Sequence, residues 1–134
     1  IVSSESNKVR EICILNNVDF LERDSTLCGD TEVVDVYISV VNDLTQTYDI
    51  VVGLQPDNPN RVNSLDSCIE YMIENKYDDI ITIDSTYRRS GAMRLFNYNY
   101  LKNEMVSKRI GCIKETATDI HTEEDLSNLT KIFK

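Results

Sequence analysis

The sequence predicts an α/β domain with a mostly parallel sheet. Short apolar runs typical of buried strands, such as YDIVVGLQ and DDIITID, alternate with longer segments whose apolar residues repeat at helical spacing. Strands that alternate with helices in this way form parallel sheets covered by the helices. At 134 residues the chain is long enough for one hydrophobic core but not for two, so we expect a single domain over residues 1–134.

The first half of the chain contains two strand segments and two helices. IVSS is expected to end a strand, SNKVREICILNN to form a helix, and VDFLER to be extended. The second helix covers Thr31 to Leu44, with Asp30 or Thr31 as its N-cap. Its predicted buried face consists of Val33, Val36, Val40, Val41 and Leu44.

The second half continues the alternation. YDIVVGLQ is a continuous apolar run, which is typical of a strand covered on both faces, as in a parallel sheet. The helix NSLDSCIEYMIENK follows, with Asn63 or Ser64 as its cap and Leu65, Ile69, Met72 and Ile73 at helical intervals. The remaining segments are, in order, strand DDIITID, strand GAMRLFN, helix YNYLKNEMVSK, strand RIGCIK and a helix whose start, HTEEDL, gives Thr122 and Asp125 the spacing of a capping box.

Charge and hydropathy exclude several kinds of partner. The chain has 14 basic and 23 acidic residues, a formal charge of -9, which disfavours general binding to nucleic acid or to an anionic membrane. No apolar stretch approaches the roughly 20 residues that span a bilayer, and IVSSESNKVR lacks the features of a signal peptide. We therefore expect a cytoplasmic protein.

The four cysteines are Cys13, Cys28, Cys68 and Cys112, and no two are close enough in sequence to form a zinc or redox motif. Cys13 and Cys68 lie among apolar residues of predicted helices. Buried free thiols are the favoured interpretation, ahead of disulfides or metal ligands.

The stretch VVGLQPDNPNR brings several polar side chains together at the carboxyl end of a predicted buried strand. Gln55, Asp57, Asn58 and Arg61 follow the apolar run directly. Parallel sheets bind ligands beyond the carboxyl ends of their strands, so these residues are candidates for a binding site. A proline-directed turn into the next helix explains the same residues equally well.

Four segments, taken in order, resemble the acylneuraminate cytidylyltransferase family, the enzymes that make CMP-sialic acids. IVSSES is similar to the family's VVSTDD, LERDSTLCGDT to RPxELAxDT, VVGLQPDNPNR to LLQPTSPLR, and TATDIHTEEDL to xxIDIDTEEDL. YRRSGAMRLFN is similar to xxxNGAIYIFN, but less closely. The similarity covers nearly the whole chain, and it implies a Rossmann-like three-layer nucleotidyltransferase fold.

The resemblance also implies a reaction. In that family a sugar hydroxyl attacks the α-phosphate of CTP, magnesium pyrophosphate leaves, and positioning together with charge neutralisation provides most of the catalysis. The expected partners are CTP and an acidic nine-carbon 2-keto sugar, the cofactor is Mg²⁺, and the expected assembly is a homodimer. The resemblance assigns Gln55, Arg61, Ser90 and Arg94 to the sugar, Ser3 to the nucleotide, Asp119 to catalysis, and Asp119 with His121 to the metal.

The sequence differs from the family in missing segments and in single substitutions. The N-terminal strand and phosphate loop of the type IPARGGSKRxPxKN are missing, and a gap is suspected near residues 84–90, so the fold is expected to be incomplete. His121, Ser90 and Arg94 replace the family's aspartate, asparagine and tyrosine. The alternative function is therefore a degenerate, non-catalytic member that binds sugar or forms oligomers.

Arg88, Arg89 and Arg94 are the best cationic candidates for a carboxylate or phosphate, because guanidinium binds both in a fork geometry. A solvated charged loop is an equally good interpretation of these three residues. Other chemistries are disfavoured. The chain has one histidine, which argues against a serine or cysteine nucleophile, and Tyr37, Tyr71, Tyr98 and Tyr100 show no basic interleaving of the kind found in nucleic-acid stacking surfaces.

Overall fold

The computed structural model describes residues 1–132, which form two compact units. The first comprises Ile1–Thr47 with Leu101–Glu104, and the second comprises Tyr48–Tyr100 with the residues from Met105 onward. The α/β class predicted from the sequence is confirmed, because helices and strands occur in both units. No helix among the described residues is long and apolar enough to cross a membrane.

The first unit contains a two-stranded parallel sheet. Strands β1 (Val2–Ser4) and β2 (Phe20–Glu22) pair in register, with helix α1 (Asn7–Leu15) between them in sequence. Helix α2 (Val33–Asp43) follows a 3₁₀ turn over Ser25–Leu27. The predicted cap of α2 is wrong: the N-cap residue is Glu32, without a side-chain cap bond.

Thr31 lies one residue before the N-cap of α2, and its hydroxyl takes part in the preceding loop. It donates to the carbonyl oxygens of Thr26 and Cys28, at 3.2 and 3.3 Å, and so closes the preceding loop instead. The two cysteines predicted to be buried thiols in helices, Cys13 and Cys68, are free and buried, as expected. Cys28 is partly exposed and Cys112 is exposed.

The second unit contains a four-stranded mixed sheet in the order β3–β5–β4–β6. Its elements are β3 (Ile50–Leu54), α3 (Leu65–Asn75), β4 (Asp79–Ile83), β5 (Arg89–Asn97), β6 (Ile110–Lys114) and α5 (Glu123–Ile132). Helix α4 (Tyr98–Lys102) begins in this unit, and its last two residues are assigned to the first unit. The helix α4 is shorter than the predicted YNYLKNEMVSK, because Glu104 adopts a left-handed conformation that ends the helical path.

The prediction of a mostly parallel sheet is wrong. β5 is antiparallel to both β3 and β4, and in this sheet only β4 and β6 pair in parallel. The reason is the direct link between β4 and β5, where a hydrogen-bonded hairpin turn over residues 84–88 reverses the chain without a helix. This hairpin occupies the place of the suspected gap. β3 is likewise not enclosed by parallel neighbours, since it lies at the edge of the sheet.

The core of the second unit lies between α3 and one face of the sheet. Its buried members are Cys68, Met72, Ile80, Met93 and Leu95. The predicted apolar face of α3 is therefore slightly misplaced: Cys68 and Met72 point into the core, whereas Leu65 and Ile73 are exposed.

Two predicted helix caps are confirmed in this unit. The Ser64 hydroxyl oxygen accepts the amide N–H of Ser67 at 3.2 Å, which caps α3. At α5, the Thr122 hydroxyl oxygen accepts the amide N–H of Asp125 at 3.1 Å, and the Asp125 carboxylate accepts the amide N–H of Thr122 at 2.9 Å. This reciprocal pair is the capping box that the spacing predicts.

Candidate functional site

Arg61 closes the polar turn that follows β3. Its Nε donates to the carbonyl oxygen of Ala92 at 2.8 Å, and its Nη2 donates to the carbonyl oxygen of Gln55. The amide of Asn58 also donates to the Gln55 carbonyl, at 3.3 Å. The guanidinium thus ties the turn to β5 just beyond the last β3–β5 pair, Leu54 and Met93. The role predicted for Arg61 in sugar binding stays a prediction.

The turn is bonded to the segment that follows β6. Asn60 and Thr118 form a reciprocal pair, in which Asn60 Nδ2 donates to Thr118 Oγ1 at 3.1 Å and the Thr118 amide donates to Asn60 Oδ1 at 2.8 Å. The Ile120 amide donates to the carbonyl oxygen of Asp57 at 2.9 Å. Two of the segments that carry the family resemblance are therefore in direct contact.

Glu115 is a buried carboxylate that holds the start of α3 to the end of β6. It accepts hydrogen bonds from the amides of Val62 at 3.0 Å, Asn63 at 3.2 Å and Thr116 at 2.9 Å, and from Asn63 Nδ2 at 2.9 Å. Burial by itself would raise the pKa of Glu115, but these hydrogen bonds outweigh burial and lower the pKa. We refer to Glu115 and its four donors as the Glu115 clip.

A polar cleft of about 360 Å³ opens beyond the carboxyl ends of the parallel strands β4 and β6. Three segments contribute to it: the turn after β3, the β4–β5 hairpin with the start of β5, and the segment after β6. The lining residues are Asn58, Asp84, Ser85, Arg89, Ser90, Glu115, Thr116, Ala117 and Asp119. This is the sheet edge at which α/β proteins commonly bind ligands.

Asp119 lies at the rim of the cleft between two partners. Its Oδ1 accepts Asn58 Nδ2 at 3.4 Å, and its Oδ2 lies 2.8 Å from His121 Nε2. Asn58 is buried and also donates to Asp57 Oδ1 at 2.9 Å. The structure thus brings together Asp119 and His121, the two residues assigned to the metal, and they are bonded to each other.

Asp84 is a lining residue that the sequence analysis missed. Its Oδ1 closes the β4–β5 hairpin by accepting the Thr86 amide and hydroxyl, both at 2.7 Å, and the Arg88 amide at 3.0 Å. The hydrogen bond from the Thr86 hydroxyl, followed by that from the Arg88 amide, lowers the pKa of Asp84. Its position directly after the central strand β4 is the signal that identifies it, since carboxylates at such strand ends face ligands.

The three arginines of the predicted cationic cluster do not act together. Arg94 forms a fork with Asp79, with Nε–Oδ1 and Nη2–Oδ2 distances of 3.1 and 2.6 Å, and its guanidinium lies 4.3 Å from the centre of the Phe96 ring. Arg89 lines the cleft, whereas Arg88 and Arg94 do not. The pairing of β4 with β5 shifts register between Ile81 and Ile83, in the stretch that separates Arg94 from Arg89.

Gln55 and Ser90, both assigned to the sugar, lie next to Gly91, Gln55 through its side chain and Ser90 as the preceding residue. A Cβ atom at Gly91 would lie 2.8 Å from Gln55 Oε1, so the Gln55 side chain packs against the Gly91 backbone. Ser90 lines the cleft. Ser3, assigned to the nucleotide, belongs to the first unit, where its carbonyl oxygen accepts Arg23 Nη2 at 2.6 Å. Its predicted role stays a prediction.

The cleft contains carboxylates, the type of ligand that Mg²⁺ prefers. Within residues 1–132, no three histidine, cysteine or acidic side chains gather closely enough to hold a metal by themselves. Mg²⁺ is usually held by one or two carboxylates together with substrate phosphates and waters, so it does not need a cage made entirely of protein. Asp84 and Asp119 supply two carboxylates in one cleft. His121 is a nitrogen donor, which Mg²⁺ favours less.

Comparison with known proteins gives a fold relationship. No protein-family model matches the chain, and no curated protein sequence matches it. Among solved structures, the crystal structure of HddC from Yersinia pseudotuberculosis matches with a TM-score of 0.65 and 12% identity, covering 98% of this chain and 77% of that chain. A match at this identity concerns the fold alone, so the chain shares its fold with HddC over nearly all of its length.

Proposed function

We propose that the protein transfers CMP from CTP to an acidic nine-carbon 2-keto sugar of the sialic acid type and releases pyrophosphate. The proposal includes Mg²⁺ as cofactor, a homodimer in the cytoplasm and a Rossmann-like three-layer nucleotidyltransferase fold. It builds on the resemblance of short sequence segments to the acylneuraminate cytidylyltransferases. The fold shared with HddC is compatible with the proposal and does not test it.

The observation that carries the proposal is the meeting of three resembling segments at one cleft. LQPDNPNR contributes Asn58, RRSGAM contributes Arg89 and Ser90, and TATDIHTEEDL contributes Asp119. Neighbouring segments are separated by more than 20 residues in the sequence. Resemblances that arose by chance would have no reason to converge on the same polar cleft.

The chemistry suits a site made of positioned polar groups. In the proposed reaction the sugar hydroxyl forms a new bond to the α-phosphorus of CTP, and the bond to the bridging oxygen of pyrophosphate breaks. Asp84 and Asp119 would hold Mg²⁺, which when bound neutralises the charge of the departing pyrophosphate. Gln55, in contact with Gly91, and Ser90 beside it would orient the sugar.

Asp119→Asn tests the proposal, because it removes one carboxylate charge while keeping an oxygen that can accept the bond from Asn58. We expect pyrophosphate release from CTP in the presence of N-acetylneuraminate and Mg²⁺ to fall by at least about 100-fold, the range seen when a group that stabilises transition-state charge is removed. The assay is a coupled phosphate measurement, with the CMP-sugar identified by mass spectrometry.

Glu70→Gln is the matched control, since Glu70 is an exposed acid on α3 that does not line the cleft. It should leave the rate unchanged. Equal rates for Asp119→Asn and the parent protein would contradict the assignment of Asp119. If neither CTP nor any acidic sugar is consumed by the parent protein, transfer of CMP is not its function.

A non-catalytic sugar-binding or oligomer-forming module is the second candidate. The observation in its favour is that Arg61, Arg94 and His121 are engaged with groups of the protein itself, namely backbone carbonyls, Asp79 and Asp119. Side chains that bind groups of the protein in this way stabilise its folded structure and need not take part in catalysis. Binding of N-acetylneuraminate without release of pyrophosphate in the presence of CTP would favour this candidate.

A further inference from the structure

The Arg89 guanidinium is the cationic group among the residues that line the cleft. No carboxylate among residues 1–132 lies within ion-pair distance of it, and its side chain takes part in no hydrogen bond there. Arg94, by contrast, is neutralised by Asp79. An arginine that lines a cleft with its charge uncompensated favours an anionic ligand, because guanidinium binds carboxylate and phosphate oxygens in pairs.

The neighbouring Ser90 adds an independent observation. Its Oγ is buried and, within the described part of the chain, has no hydrogen-bond partner. Buried hydroxyls without partners are uncommon, since the loss of hydration is not compensated. Because Ser90 also lines the cleft, an oxygen of a bound ligand is a suitable partner for this hydroxyl.

We infer that Arg89 and Ser90 form an oxyanion-binding wall of the cleft, which receives a carboxylate or phosphate group of the ligand. The carboxylates of Asp84, Glu115 and Asp119 line the same cleft. An anionic ligand that also brings a cation, as CTP brings Mg²⁺, suits a cleft lined by both an arginine and carboxylates. The inference rests on the proposed function, in which the sugar supplies a carboxylate and CTP supplies phosphates.

Arg89→Gln tests the wall directly, by isothermal titration of the full chain with three probes. The probes are N-acetylneuraminate, its uncharged methyl ester, and CTP with Mg²⁺. If the sugar carboxylate contacts Arg89, the variant should bind N-acetylneuraminate about tenfold more weakly or worse, as expected for loss of a charge-assisted hydrogen bond, and should bind the ester unchanged. If a phosphate is the partner, binding of CTP should weaken instead.

Arg88→Gln is the matched control: it removes the same charge one residue away, from an exposed side chain that does not line the cleft. It should leave all three affinities unchanged, and Arg89→Lys should restore part of the loss. Ser90→Ala should weaken the same probe as Arg89→Gln does.

The inference is overturned if Arg89→Gln binds the acid and CTP as tightly as the parent, if it weakens the ester equally, or if the parent binds neither acid nor CTP. Pyrophosphate release, measured on the same preparations, reports separately on the proposed function. Binding of the acid that depends on Arg89, without turnover, would support the wall and reject CMP transfer.

Discussion

Gly91 shows how one backbone conformation positions a side chain of the candidate site. Its φ of +74° lies in the left-handed region, which residues with a Cβ atom enter only at a cost. In addition, Gln55 Oε1 occupies the space where a Cβ atom would project. The absence of a side chain at Gly91 therefore permits both the entry into β5 and the position of Gln55.

Gly91→Ala should lower the free energy of unfolding by about 1–2 kcal/mol from backbone strain alone. Gly29→Ala is a matched control, because Gly29 has the same φ of +74° but no atom within 4 Å of the added Cβ. Urea unfolding should give a larger loss for Gly91→Ala, since Gln55 must move. Equal losses of stability in the two variants would mean that the Gln55 side chain moves aside without a cost in free energy.

Some residues of the candidate site could be predicted from the sequence, and others could not. The resemblance of short motifs assigned Asp119 and Ser90 to the site, and both residues line the cleft, while their roles stay predictions. Arg94 was expected to face the ligand but pairs with Asp79, and the sequence gives no sign of this cross-strand partner. Glu115 was missed because its importance comes from donors more than 50 residues away in the chain.

The Glu115 clip is a contact between elements, because it fastens the chain before α3 to the end of β6. Glu115→Gln would replace an acceptor oxygen by an NH₂ group that faces N–H donors. We expect a loss of about 2 kcal/mol or more in the free energy of unfolding at neutral pH, since a buried charge-assisted contact is broken. Urea unfolding monitored by circular dichroism measures this loss.

The pH dependence of the clip follows from the lowered pKa of Glu115. The folded state binds this proton less readily than the unfolded state, whose glutamate titrates near 4.5. The stabilisation is therefore complete above about pH 4.5 and is lost as the pH falls through the lower folded-state pKa. The difference between parent and Glu115→Gln should shrink on acidification, whereas the effect of Glu70→Gln at neutral pH should have the opposite sign, because it relieves repulsion on α3. A difference in the free energy of unfolding that does not change with pH would contradict the conclusion that Glu115 is ionised in the folded state.

Among the elements, helix caps could be predicted from local sequence signals, whereas strand pairing could not. The caps at Ser64 and at Thr122 with Asp125 follow from residue types at fixed spacing, and both are confirmed. The strand order was not predictable in the same way, because it depends on whether a link forms a hairpin or a crossover. Residues 84–88 contain Asp84 and Thr86, which form a side-chain-closed turn, and this turn makes β5 antiparallel.

The whole molecule carries a formal charge of -9, and part of the excess is concentrated on the exposed side of α3. Asp66, Glu70 and Glu74 are exposed and spaced four residues apart, and like charges at that spacing repel one another. None of the three forms an ion pair within residues 1–132. This repulsion opposes folding and is weakened by salt.

The melting temperature should therefore rise as NaCl increases from about 0.02 to about 0.3 M, because the screening length shortens several-fold over this range. Differential scanning fluorimetry measures the change. The triple variant Asp66→Asn, Glu70→Gln, Glu74→Gln should melt at a higher temperature in low salt and respond less to NaCl. A melting temperature that falls with salt would show that attractive surface pairs dominate.

The contacts that assemble the cleft have a consequence for how many different sequences could form it. Arg61 binds two carbonyl oxygens, the Ile120 amide binds another, and three of the four donors to Glu115 are backbone amides. A hydrogen bond to a main-chain atom depends on the side chain of only one of the two residues, or of neither. The cleft can therefore keep its shape while the side chains at the other positions differ, so very different sequences could build the same cleft.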